Sequence, residues 1–228
     1  MRATDDHALH LRALQSLGES GAAIYAAAVD ALRQRSAAGS VVDVGCGTGR
    51  LRALLGNLAT SYVGVDAVRF DGFPVDAALL VADLNREPIP VADRSADIVL
   101  SLETIEHLEN PRAFCRELVR IVKPGGWVLV STPNQRSLGS IGALLFKEHF
   151  SAFRDQCYPA HQTALLDTDL LRIAAESGLG DISITFTGVG RIPLTAASYP
   201  RSASRAFPRA LSDNVLLVAR TPQTGMDR

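Results

Sequence analysis

Along this chain, short apolar runs closed by turn residues alternate with stretches whose apolar residues recur at helical spacing. Val41, Val42 and Val44 form the first run, as expected of a strand buried on both faces of a parallel sheet. It ends in Gly45, Gly47 and Gly49, and Leu51, Leu54, Leu55 and Leu58 then predict an amphipathic helix. Residues 62–66, 77–82, 96–101, 127–131, 182–186 and 215–219 read as six further strands. Pro88, Pro90 and Asp93 mark a turn-rich linker before the fourth strand. Asn110 and Pro111 are the N-cap and first residue of a helix with Phe114, Leu118, Ile121 and Val122 on its buried face. The run Lys123-Pro124-Gly125-Gly126 stops it, and Gly178 stops a later helix over 167–177. Strands alternating with helices predict one doubly wound α/β domain over residues 1–228, a mostly parallel sheet with helices on both faces.

Three stretches fall outside this rhythm. Residues 5–37 read as helical, with Leu9, Leu14 and Leu17 on one stripe, a break at Gly18–Gly21, and Ile24, Ala28, Ala31 and Leu32 on related faces; residues 1–38 are expected to form N-terminal helices. Residues 135–160 lose regularity and carry His149, Phe146, Phe150, Phe153 and Tyr158. They follow the carboxyl end of a strand, where open α/β sheets take their ligands, and read as a substrate-covering insertion. Residues 188–212 hold Arg191, Arg201, Arg205 and Arg209 with no acid and three prolines. They read as a second substrate-side insertion: a basic surface loop, or an arginine patch for a phosphate or carboxylate on the substrate.

Composition narrows the class. The chain has 228 residues, 47% hydrophobic, with a net charge of -1, so charge alone calls for neither nucleic acid nor an anionic membrane. No apolar run approaches the roughly 20 residues of a bilayer span. The first ten residues lack the apolar stretch of a secretory signal. Cys46, Cys115 and Cys157 have no metal or redox spacing, which suits a reducing cytoplasm. Cys46, inside the glycine turn, reads as packing rather than chemistry.

The chemistry begins at that turn. Its three glycines permit a tight bend and close backbone approach to a ligand, and the helix after it should aim N-terminal amides at a polar or anionic group. The spacing G-x-G-x-G is one residue shorter than the dinucleotide fingerprint. The wording Asp43-Val44-Gly45-Cys46-Gly47-Thr48-Gly49 resembles the first motif of class I S-adenosylmethionine (SAM)-dependent methyltransferases. "Asp97-Ile98-Val99" and the run 123–134, KPGGWVLVSTPN, are also typical of that family. The resemblance covers about residues 41–218 and implies a Rossmann-like fold with seven strands, the last antiparallel, and SAM as cofactor. Asp66 lies about 20 residues beyond the glycines, where a carboxylate can accept both ribose hydroxyls. The resemblance implies Asp83 at the adenine amino group and Leu84 against the ring. The expected cofactor set is Asp43, Gly45, Cys46, Gly47, Gly49, Asp66, Asp83, Leu84 and Ser101.

A second motif follows the fourth strand. On a helical turn Glu103, Glu106 and His107, spaced i, i+3, i+4, would share a face. Two carboxylates so placed repel, and a divalent cation would relieve them. "Glu-x-x-Glu-His" here resembles the ubiquinone-biosynthesis O-methyltransferases and the enzymes that 2′-O-methylate small-RNA 3′ ends. In the latter, the two Glu, the His and a further His hold Mg²⁺ against a vicinal diol; His161 stands where that further His is expected. The resemblance thus implies Mg²⁺ or Mn²⁺ on Glu103, Glu106, His107 and His161. Without metal, the same residues would position the acceptor, with His107 or His161 as general base, or would be purely structural. N- or C-methylation would not need the carboxylate pair, which favours oxygen.

The expected activity is therefore SAM-dependent O-methylation of a sugar-like or other diol small molecule. Residues 131–179 resemble methyltransferases associated with bacterial surface glycans. The rival readings are a methyltransferase acting on RNA ends, disfavoured by the charge balance, a non-catalytic SAM-binding partner subunit, and an NAD-linked oxidoreductase.

Overall fold

A computed structural model describes residues 18–193 and 195–223, so Leu9, Leu14 and Leu17 of the expected first helix lie outside the described residues. The strands are β1 (Gly39–Val44), β2 (Ala59–Asp66), β3 (Ala78–Val81), β4 (Ala96–Leu102), β5 (Val122–Pro133), β6 (Gly180–Phe186) and β7 (Asn214–Arg220). They form one seven-stranded sheet in the order β3-β2-β1-β4-β5-β7-β6. Strand β7 pairs antiparallel with both β5 and β6, and the other pairs are parallel.

The two-residue period of a strand sends alternate side chains to opposite faces. Val42, Val44, Val99, Val128 and Val130 enter one core, with Phe114, Leu118 and Ile121 of α3 (Pro111–Ile121) and Leu170 and Ile173 of α5 (Asp167–Glu176). Val41, Ile98, Leu100 and Leu129 enter the other, with Ile24, Ala28, Ala31 and Leu32 of α1 (Ala22–Gln34) and Leu51 and Leu55 of α2 (Leu51–Leu55). Helices thus cover both faces, as a sheet of continuous apolar strands requires. Asn110 caps α3 as expected, its Oδ1 accepting from the Ala113 amide at 3.0 Å.

The structure corrects several boundaries. Helix α2 is only five residues long and runs into a 3₁₀ turn at Gly56–Leu58, leaving Leu54 exposed. The expected stop at 123–126 is absorbed into β5, whose pairing with β4 jumps from Ala96–Val122 to Ile98–Trp127 and loops those residues out. Residues 135–160 are not irregular throughout, because α4 (Leu138–Lys147) forms there, capped by Ser137 Oγ accepting from the Ser140 amide at 3.1 Å. Its large apolar residues face outwards, so no buried stripe announces it. A short helix, α6 (Arg201–Ala206), likewise interrupts the basic stretch.

The two insertions are tied together at one carboxylate. Asp167, 5% exposed at the start of α5, accepts Arg136 at 3.1 Å and Arg209 at 3.4 Å. Arg191 pairs with Asp213 at 3.7 Å. Two of the four arginines of residues 188–212 are therefore paired with the protein's own acids.

Candidate active site

Strand order reverses between β1 and β4, and a cavity of about 270 Å³ opens there, at the carboxyl ends of the strands. The glycine turn, the ends of β2 and β3, the turn after β4 and residues 18–25 surround it. Asp43, Gly45, Cys46, Gly47, Asp66, Asp83 and Leu84 all line it, as do Glu103, Glu106, His107 and His161. Ser101 and Gly49 do not. Ser101 is completely buried within β4, and Gly49 makes room for packing, since a Cβ there would meet Pro74 Cδ at 2.5 Å.

The turn is glycine-dependent for steric reasons. Gly45 has φ +78, and an added Cβ would lie 2.0 Å from Thr104 Oγ1; at Gly47, with φ +53, it would lie 2.0 Å from the Gly18 carbonyl. The amides of the turn itself are already engaged. Gly45 and Cys46 donate to the Val65 carbonyl, Gly47 to Asp66 Oδ2 at 2.8 Å, Thr48 to the Gly18 carbonyl and Gly49 to the Cys46 carbonyl.

Charge points the same way. The lining carries Glu19, Asp43, Asp66, Asp83, Glu103 and Glu106 and, among its described residues, no Lys or Arg. A cavity of carboxyls with no free amide nest disfavours a pyrophosphate and suits a cationic ligand such as a sulfonium with an amino group. Asp66 keeps acceptor capacity for a ribose, because a carboxylate has about four lone-pair sites and the amides of Gly47, Ala67 and Val68 use only part of them. Burial pushes Asp43 up to about 7, against the hydrogen bond that Tyr62 donates to it at 2.6 Å. Burial also raises the Cys46 thiol, which fits packing rather than nucleophilic chemistry.

Beyond β4 the expected helical face does not form. Glu103 has φ +55, a left-handed conformation costing about 1–3 kcal/mol in a non-glycine residue. Only Ile105–His107 make a 3₁₀ turn. Glu103 is turned instead towards β5 and β7, accepting from Ser131 Oγ at 2.9 Å and Asn214 Nδ2 at 2.7 Å. Neither partner carries a sequence signal; both arrive through the pairing of β5 with β4 and β7.

The remaining three residues meet. Main-chain bonds from Gln162 (2.9 Å) and Thr163 (3.0 Å) to the Glu106 carbonyl clamp the later segment onto the turn. The His107 and His161 rings are 4.8 Å apart, and Glu106, His107 and His161 offer ligand atoms all within 4.8 Å of one another. His107 Nδ1 lies 2.8 Å from the Ala160 carbonyl and His161 Nδ1 2.6 Å from the Ala152 carbonyl. Carbonyls only accept, so each Nδ1 bears the proton and each Nε2 keeps its lone pair in the neutral ring. Burial lowers both imidazoles and so favours that neutral form.

Glu106 is fully buried, and neither carboxylate oxygen has a hydrogen-bond partner, although Thr132 is close enough to stabilise its charge. Burial first, and Glu103 second, hold it well above the usual carboxylate range. A buried carboxylate without a partner is costly, and a cation held by it and the two imidazoles would remove the cost. One carboxylate and two imidazoles form a mixed O/N donor set that suits Mn²⁺ or a Mg²⁺ ion retaining waters.

Comparison with known proteins shows the family. Residues 18–183 match a family described as "Methyltransferase domain". A ubiquinone biosynthesis O-methyltransferase of Chromobacterium violaceum is 31% identical over 176 residues, covering 72% of this chain and 73% of that protein. A mitochondrial enzyme of the same name from Dictyostelium discoideum is 36% identical, but the match covers 48% of this chain and only 40% of that protein. The crystal structure of a SAM-dependent methyltransferase from Archaeoglobus fulgidus superposes with a TM-score of 0.59 at 17% identity, covering 86% of this chain and 94% of the other, and so speaks for the fold alone.

Proposed function

We propose that this chain, which belongs to the class I SAM-dependent methyltransferases, methylates a hydroxyl oxygen on a sugar-like or other vicinal-diol small molecule with help from a divalent metal. Bound SAM supplies a methyl group already activated by its sulfonium. Asp66 is the residue for the ribose, Asp83 and Leu84 for the adenine, and the glycine turn for the rest of the cofactor. What remains for the protein is to bring an acceptor oxygen into line and manage its proton, a positioning task worth several kcal/mol.

The observation that carries the reading is Glu106, whose two oxygens are unpartnered and which offers a ligand atom within 4.8 Å of ring nitrogens of His107 and His161. These three residues would hold Mg²⁺ or Mn²⁺, which would make a coordinated hydroxyl more acidic. Glu103 stands apart from the trio with its carboxylate held by Ser131 and Asn214, and we assign it to orienting the acceptor. The O-methyltransferase names of the relatives support oxygen as the accepting atom.

A second reading rests on the same imidazoles. A neutral ring whose Nδ1–H is anchored on a carbonyl presents Nε2 as a base, so His107 or His161 could take the hydroxyl proton directly. An RNA end is the weaker acceptor, because the described cavity lining is acidic.

Calorimetric titration of Mn²⁺ into protein saturated with S-adenosylhomocysteine separates the two, with Glu106→Gln beside the parent. Saturable binding that Glu106→Gln abolishes, with turnover on a diol acceptor that a chelator stops, is the expected result. Turnover unaffected by chelator would establish the metal-free base instead.

A further inference from the structure

The sheet carries a second cavity, on the rim opposite the glycine turn. It measures about 290 Å³ and opens where β4 and β5 begin and the antiparallel β7 ends. Its charge is the reverse of the first. Arg35, Lys123 and Arg220 line it, against one acid among the described lining residues, Asp97. That acid is already satisfied: it accepts Lys123 Nζ at 2.8 Å, the Ser40 amide at 2.9 Å and the Ser40 hydroxyl at 2.7 Å. Arg35 and Arg220 form no ion pair with a described residue.

Both guanidinium groups are held in place. Arg35 follows α1 and donates to the Ala31 carbonyl and the Ser183 hydroxyl, each at 3.0 Å. Arg220 donates from Nε to the Gly125 carbonyl at 2.7 Å. Their Cζ atoms lie 5.5 and 5.3 Å from the centre of the same ring, that of Trp127. The indole steadies each cation but neutralises neither. Two like charges fixed on one ring repel, and each fork keeps N–H donors beyond those it has used. An oxyanion shared by both would relieve the repulsion. A carboxylate brings one charge and two oxygens. A phosphate group brings about -1.5 to -2 charges near neutral pH and three acceptor oxygens, enough to answer both forks, which bind such groups bidentately.

We infer that this cavity binds a small molecule through a phosphate or pyrophosphate group, taken by the guanidinium forks of Arg35 and Arg220 with Lys123 adding to the positive field. The inference is independent of the acceptor and the metal proposed for the first cavity, whose described lining has no Lys or Arg to compete for the same ligand.

Trp127 is the chain's single tryptophan, so tryptophan emission reports this cavity. Inorganic phosphate and pyrophosphate are titrated into protein saturated with S-adenosylhomocysteine in metal-free buffer, with acetate and chloride at matched ionic strength as controls. Calorimetry runs beside the fluorescence, because Arg35→Gln and Arg220→Gln alter the surroundings of the ring. Thermal unfolding and S-adenosylhomocysteine affinity check that the variants fold. The expected result is a saturable change in emission with both phosphates, pyrophosphate being the tighter, and binding of acetate and chloride weaker by about tenfold or more. Each glutamine variant should weaken phosphate by about tenfold, and Arg220→Lys, which keeps the charge and loses the fork, by several-fold. Where a glutamine variant fails to fold, Arg220→Lys and the parent's preference for phosphate over acetate still decide. No saturable response to either phosphate, a response that chloride or acetate reproduces, or binding that the folded variants retain in full would overturn the inference.

Discussion

The two halves of the cavity are built on opposite principles. On the glycine-turn side the main chain is satisfied: the amides of residues 45–49 are spent on nearby carbonyls and on Asp66, and Tyr62 holds Asp43, although the Thr48 hydroxyl has no partner. On the other side, Glu106 is buried with both oxygens unpartnered, and the His107 and His161 rings stand beside it. A satisfied wall is rigid and binds one ligand shape, whereas an unsatisfied cluster stores free energy that a cation or acceptor can release. The first half is therefore a mould and the second a set of unfilled valences.

The strongest test of that contrast is Glu106→Gln. It should cut turnover by about 10³-fold, roughly 4 kcal/mol at the transition state, while S-adenosylhomocysteine affinity measured by calorimetry moves less than threefold. Equal losses in both would mean that the halves are not separable.

The next effect lies in stability. Asp43 titrates at about 7 in the folded protein against 3.8 for an ordinary Asp. Below pH 4 both states are protonated and the group is neutral in its effect. Between about 4 and 7 the unfolded chain ionises first, so rising pH favours unfolding, and above 7 the penalty is constant. Asp43→Asn, which keeps an acceptor for Tyr62, should therefore gain stability over the ligand-free parent as pH rises from 5 to 8, by a few kcal/mol. Urea unfolding at the two pH values reads the difference; parallel curves would mean that Asp43 is already ionised when folded.

Smaller in effect, Asp66→Asn should weaken S-adenosylhomocysteine by about 10- to 100-fold, through loss of a charged ribose acceptor and of the Gly47 contact. Turnover at saturating SAM should hold within a few-fold. Smallest of all, Cys46→Ala should leave both affinity and turnover within twofold, since a buried thiol of raised pKa has only volume to contribute.

How far each half was legible follows from the same contrast. The glycine turn, Asp43 and Asp66 lie within 24 residues, so strand, turn and strand-end acid could be read in order from local spacing. The sheet was legible because its strands are continuous apolar runs. Past β4 the expected residues line one cavity, but they do not share the expected helical face, and Glu103 stands outside the cluster of Glu106, His107 and His161. Glu103 was expected on a shared helical face, but its positive φ sends it to Ser131 and Asn214. His161 reaches His107 through main-chain bonds to the Glu106 carbonyl, which no side-chain pattern announces. Helix α4 escaped because periodicity arguments look for a buried stripe, and here the apolar stripe faces out. The choice between a basic surface loop and an arginine patch at residues 188–212 stayed open because the acids that pair with Arg209 and Arg191, Asp167 and Asp213, lie outside that stretch.

Asp167 has a bearing on how such an enzyme could be re-engineered. Its carboxylate is buried between Arg136 from one insertion and Arg209 from the other. A chimera that replaced residues 135–160 alone would leave that carboxylate with half its compensation, and a buried charge stripped of a partner costs about 3–5 kcal/mol. The two segments are thus one heritable unit. A graft of either segment has to carry both of them, with the start of α5, or it arrives destabilised.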